Sequence, residues 1–133
     1  GELHALEQRI AEVLKDFPHV LFSTLFGSAA KGRLIDRSDV DIAVAGREHF
    51  SLEALFKLSV ALSTALEREV DLIDLQAVSG LILEQALCRG KIIMNADHDL
   101  YAGLLKRLWY NQADMMPYCR RILEQRSAQW LRQ

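Results

Sequence analysis

Seven residues, Asp39-Val40-Asp41-Ile42-Ala43-Val44-Ala45, restrict this chain more than any other stretch of it. Branched residues at alternate positions call for an extended strand, in which successive side chains point to opposite faces. Val40, Ile42 and Val44 then form a core face, and Asp39 and Asp41 share the other face with the small Ala43 and Ala45. Two carboxylates two residues apart on one face repel each other unless a cation or a proton comes between them. A hard divalent cation resolves that conflict, and Gly46 closes the strand at its far end.

The flanking sequence supplies the remaining elements. Leu3, Leu6, Ile10, Val13 and Leu14 recur at three- and four-residue steps, which predicts an amphipathic helix from residue 3 to about 16, stopped before Pro18. Residues 20–26 are short, apolar and rich in branched or aromatic side chains, as a buried strand is, and the run ends abruptly at Gly27-Ser28. Ser51 suits a helix N-cap, with Glu53 in the first turn and Leu55, Leu58, Leu62 and Leu66 behind it, so residues 52–69 read as a helix. Val70 to Leu75 follows as a third strand, 79–89 as a short helix stopped by Gly90, and Lys91 to Asn95 as a fourth strand. From Asp99 onward the pattern is helical, with Pro117 as a point of interruption. The expected architecture is α/β (α+β): a mixed sheet of about four strands flanked by helices. One domain spans 1–133, with a core at about 20–95 and a C-terminal helical segment at about 99–131.

Charge and composition exclude several function classes. With 16 Lys plus Arg against 18 Asp plus Glu, no broad basic field is available to hold long nucleic acid by neutralising phosphates, so a small or locally bound polyanion fits better. No apolar run approaches the roughly 20 residues that cross a bilayer, and the N-terminus lacks a basic segment followed by an apolar signal core, so the expected location is the cytoplasm, with no membrane partner. Cys88 and Cys119 lack any CxxC or Cys/His ligand spacing and are expected to be ordinary buried thiols. His4, His19, His49 and His98 show no ligand spacing either and enter no mechanism. Tyr101, Leu104, Leu105, Leu108, Trp109, Tyr110, Met115, Met116 and Tyr118 make the C-terminal segment dense in apolar and aromatic side chains. Its first task is packing on the core, and Trp109, Tyr110 and the methionines are candidates for a partner surface, where aromatic residues and Met are enriched.

The chemistry is carried by a spaced set: Gly27-Ser28, then Asp39 and Asp41, then Asp71 on a later strand. A glycine at a strand end lets backbone approach a phosphate closely, N–H groups of a following helix start meet its charge, and the Ser28 hydroxyl can donate to a phosphate oxygen. Asp39 and Asp41 suit magnesium, which takes one or two carboxylates and completes its shell with water and substrate phosphates, the habit of a nucleoside triphosphate site. Asp71 is placed to supply a third carboxylate, to a metal or as acceptor for the proton of an attacking hydroxyl. Asp74 has the opposite strand parity and ranks behind it. Lys31, Arg33 and Arg37 are the nearby cations for phosphate.

Phe26-Gly27-Ser28-Ala29-Ala30-Lys31-Gly32, Ser38-Asp39-Val40-Asp41-Ile42-Ala43-Val44 and Val70-Asp71-Leu72-Ile73-Asp74-Leu75 together resemble the nucleotidyltransferase superfamily that includes DNA polymerase beta and kanamycin nucleotidyltransferase. More closely, the chain resembles the minimal nucleotidyltransferases paired with HEPN-domain proteins, over most of residues 20–95. The resemblance implies a polymerase beta-like fold, triphosphate held at Gly27 and Ser28, Mg2+ held by Asp39 and Asp41, and Asp71 as the family's third acid. It also implies transfer of AMP from ATP with release of pyrophosphate. In the minimal group it implies an antitoxin that silences a HEPN RNase toxin by adding AMP to a tyrosine. Two alternatives stay open at this stage, silencing by binding and occlusion without catalysis, and transfer to a small aminoglycoside-like acceptor. Many relatives carry arginine directly after the Gly-Ser pair; Ala29 stands here, leaving Lys31 and Arg33 as the cations nearest the turn.

Overall fold

A computed structural model of the protein describes residues 1–30, 39–111 and 124–125. Its elements are α1 (Glu2–Leu14), β1 (Phe22–Phe26), α2 (Gly27–Ala30), β2 (Val40–Ala45), α3 (Leu52–Leu66), β3 (Val70–Asp74), α4 (Gly80–Glu84), β4 (Lys91–Asn95) and α5 (His98–Asn111), the order read from the sequence with the short α2 added at the Gly27-Ser28 turn. The strands form one mixed sheet in the order β3-β2-β1-β4. β2 lies antiparallel to β1 and parallel to β3, and β4 lies antiparallel to β1 with an irregularity between Ser23 and Thr24.

Periodicity explains the first layer. The stripe Leu6, Ile10 and Leu14 of α1 is buried together with Leu58, Leu62 and Leu66 of α3, against Val40, Ile42 and Val44 of β2 and Leu25 of β1. Ser51 caps α3, its hydroxyl accepting from Ala54 N at 3.0 Å, so the helix begins where the sequence placed it. α3 stops earlier than residue 69, because Glu67 takes the left-handed conformation at φ 53° and sends Val70 into β3.

The second face of the sheet differs from the sequence reading. Ala43 and Ala45 do not merely border two acids in the open; they are fully buried in a second core with Phe22, Phe26, Leu83, Leu87, Tyr101, Leu104, Leu105 and Leu108. Phe22 stacks on Tyr101, with ring centroids 4.7 Å apart. Two alanines carry too little apolar bulk to announce this face, and α4 and α5 supply the bulk instead. α4 widens into a π-helical turn at Gln85–Arg89, which strand and helix periodicities do not foresee. Gly90 ends it with φ −82°, not in the left-handed conformation of a helix stop. Its lack of a side chain serves close packing, since a Cβ there would meet Ala86 O, Leu25 O at 3.1 Å and Thr24 Cβ at 3.2 Å. Cys88 is buried in the same core and disulfide-bonded, in place of the ordinary thiol expected. Cys119, Met115, Met116, Tyr118 and the interruption expected at Pro117 lie outside the described residues.

α5 is fixed at both ends. Asp97 caps it by accepting from Leu100 N at 3.1 Å and pairs with Arg47 at 3.6 Å. Near its far end Arg107 donates to the carbonyls of Leu75 and Val78 and to Gln76 Oε1, tying the helix to the segment after β3.

Candidate active site

Three elements converge at one end of the sheet. β2 enters it with Asp39 and Asp41, β1 leaves it through Phe26 into Gly27, and β3 enters it with Asp71. Register does the rest. Asp41 is paired with Phe26 on one side and with Asp71 on the other, so Gly27, Asp41 and Asp71 meet within neighbouring strands. Because Val40, Ile42, Val70 and Leu72 pack into the α1–α3 core, strand alternation turns Asp41 and Asp71 to the opposite face.

Gly27 is fitted to this meeting point. Its φ of +74° is a left-handed conformation that side chains rarely adopt, and a Cβ built on it overlaps Asp41 Oδ2 and comes within 3.1 Å of Asp41 Cγ. The glycine is therefore required by the carboxylate of Asp41 itself, in addition to the close phosphate approach anticipated from sequence.

Electrostatics set Asp41 apart. Burial, then the charge of Asp71, then that of Asp39, and last a hydrogen bond shared with Asp71 all push the Asp41 carboxyl above its ordinary range. Asp41 is half-buried while Asp39 and Asp71 are exposed. A hydrogen bond between two carboxyl groups needs a proton between them, and the same attraction is available to a hard cation. Among the described residues no three His, Cys, Asp or Glu side chains gather closely enough to hold a metal unaided. The donor set thus fits magnesium, which needs one or two carboxylates and takes its other ligands from water and phosphate, and does not fit a metal that demands a closed protein cage.

Asp74 is excluded from the site. It is 5% exposed, and its carboxylate accepts from Phe50 N and Gln76 N, both at 2.9 Å. Strand parity ranks it second for this reason, and the burial assigns it a structural task at the other end of β3. The Ser28 side chain and residues Lys31, Arg33 and Arg37 lie outside what the structure describes. A half-open cavity of about 680 Å³, lined by Phe17, His19, Arg47, Phe50 and Leu58 among others, opens beyond the end of β2 at Ala45 and shares no residue with the acid cluster.

The chain matches the family model described as "Polymerase beta, Nucleotidyltransferase" over residues 8–99. It is 33% identical over 94 residues to the protein adenylyltransferase MntA of Shewanella oneidensis, a match covering 70% of this chain and 68% of that protein. Among solved structures, it superimposes on a chain of a toxin–antitoxin complex with AMP-PNP at a TM-score of 0.69 and 29% identity, covering 81% of this chain and 90% of the other. Against a complex of tri-AMPylated Shewanella oneidensis HEPN toxin with MNT antitoxin the TM-score is 0.65 at 27% identity, covering 84% and 91%.

Proposed function

We propose that this chain, which belongs to the polymerase beta nucleotidyltransferase family, is a magnesium-dependent protein adenylyltransferase that moves AMP from ATP onto a tyrosine of a HEPN-domain RNase toxin and so serves as its antitoxin. The observation that carries this reading is the pairing of Asp41 with Asp71 across β2 and β3, with the left-handed Gly27 turned against the Asp41 carboxylate. Carboxylates that face each other from neighbouring strands are suited to share a divalent cation when a triphosphate brings one. The adenylyltransferase activity of MntA and the AMP-PNP and AMPylated-toxin complexes of its structural relatives support the same substrate and acceptor.

Each residue has a role in the proposal. The turn at Gly27 and Ser28 receives the triphosphate, with Lys31 and Arg33 contributing positive charge. Asp39 and Asp41 would hold Mg2+, and the ion would supply neutralisation of phosphate charge. Asp71 accepts the proton of the tyrosine hydroxyl. The tyrosine oxygen forms a bond to the α-phosphorus of ATP, and the bond from that phosphorus to the bridging oxygen of pyrophosphate breaks. Positioning and charge neutralisation account for the catalysis, because phosphoryl-type transfer asks little covalent chemistry of side chains. The reaction belongs in a prokaryotic cytoplasm, where ATP is at hand; no helix among the described residues is long and apolar enough to cross a membrane.

The test is the intact mass of the toxin after incubation with this protein, magnesium and ATP, where each AMP adds about 329 Da as the chemistry of one covalent nucleotidyl group requires. Gain with wild type and none with the Asp39→Asn/Asp41→Asn double variant is expected. A toxin silenced without any gain in mass would replace transfer by occlusion.

A further inference from the structure

α3 carries a second stripe that the fold does not use. Leu52, Phe56 and Val60 are 87%, 69% and 47% exposed, while Leu58, Leu62 and Leu66 of the same helix are buried. The exposed three are spaced four residues apart, so they form a single ridge on the helix surface. An exposed apolar ridge on an otherwise charged surface is the signature of an interaction site.

The charges beside the ridge specify what fits it. Glu53 and Lys57 lie along one flank, both well exposed, and pair with each other at 3.1 Å. On the other flank stand the short Ser59 and Ser63, and the Ser63 hydroxyl donates to Ser59 O at 2.8 Å, so this flank lets another backbone approach without leaving that donor unsatisfied. The pattern is self-complementary about Phe56. When a second α3 is laid antiparallel with a two-fold axis through Phe56, Leu52 of one copy meets Val60 of the other, and the Phe56 rings meet at the centre. Same flanks face each other in such a pair, and Glu53 comes to lie about 3 Å along the axis from Lys57 of the other copy, by the 1.5 Å rise per residue. An acid and a base one turn apart on one flank are what an isologous contact requires. The net charge of −2 offers no strong repulsion between copies.

We infer that the Leu52–Phe56–Val60 ridge of α3 is a two-fold docking surface for a second copy of this chain, locked by reciprocal Glu53–Lys57 pairs. α3 packs on the sheet face opposite to Asp41 and Asp71, so the pairing leaves both acid clusters of the dimer uncovered.

The test is the solution mass of the full purified chain by light scattering across the micromolar range, with circular dichroism as the control for folding. Wild type is expected to approach twice its 15.1 kDa. Phe56→Glu should weaken the dimer by about tenfold or more, as loss of a central anchor does. Glu53→Lys should also drive it to monomer by setting like charges across the axis, and Glu53→Lys/Lys57→Glu should restore the dimer, because the exchange preserves every cross-pair. A monomeric wild type overturns the inference, as does a dimer that the single reversal Glu53→Lys leaves unchanged. If Phe56→Glu abolishes toxin binding by a chain that is monomeric alone, the ridge belongs to the toxin, and the inference fails while AMP transfer by wild type stands.

Discussion

Gly27→Ala separates backbone cost from chemistry, because the fold contains its own control. Gly27 and Gly80 both hold left-handed conformations, φ +74° and +69°, so alanine at either position costs roughly 1–2 kcal/mol. Only at Gly27 does the new Cβ meet anything: it overlaps Asp41 Oδ2 and lies 3.1 Å from Cγ, whereas nothing is within 4 Å at Gly80. Relief requires the Asp41 carboxylate to move by on the order of 1 Å, a displacement that costs about 100-fold when it misaligns a reacting group. Both variants should therefore unfold at similarly reduced urea concentrations, each losing about 1–2 kcal/mol. Rates of AMP transfer, read by toxin mass over time, should fall about 100-fold for Gly27→Ala and stay near wild type for Gly80→Ala. Equal transfer rates in the two variants would refute the claim that Gly27 is there for Asp41.

Asp71 and Asp74 should separate in the same two assays. Asp71→Asn should abolish or sharply slow transfer with little change in the unfolding midpoint, while Asp74→Ala should cost about 2 kcal/mol or more by leaving the amides of Phe50 and Gln76 without their acceptor. Arg107→Ala strips donors from the Leu75 and Val78 carbonyls and should cost about 1.5–3 kcal/mol, with transfer per folded molecule unchanged. Asp41 gives a pH signature. Its folded carboxyl holds a proton more tightly than the unfolded one, so its contribution to stability is most favourable below the ordinary carboxylate range and is lost as pH rises through its raised value. Without magnesium, Asp41→Asn should therefore be more stable than wild type at about pH 7 and lose that advantage towards about pH 4. Urea midpoints at the two pH values check it, and an Asn variant less stable at neutral pH would reverse the electrostatic account.

Much of this arrangement is legible in the residues alone. Strand alternation in residues 39–45 puts Asp39 and Asp41 on one face, and opposite parity separates Asp71 from Asp74, because both arguments depend only on the two-residue period. Helix stripes give the first core for the same reason. The second core is not legible: Ala43 and Ala45 are small, and the residues that cover them come from α4 and α5, distant in sequence. The fit of Gly27 against Asp41 is hidden as well, since it depends on which residue of β1 stands opposite Asp41, and pairing register leaves no local mark. The ridge on α3 escapes a sequence reading because Leu52, Phe56 and Val60 interleave with the core leucines, and only their exposures divide the two sets.

The parallel pairing of β2 and β3 makes the site a checksum on the completed fold. Asp41 reaches Asp71 only after α3 has carried the chain across and β3 has slotted in beside β2. A slip of one residue in that slot would turn Asp71 to the face of Val40 and Ile42 and set an aliphatic side chain beside Asp41. Misassembled molecules would then lack the paired carboxylates, and a newly made chain would bring Asp41 and Asp71 together only once β3 lies in register beside β2.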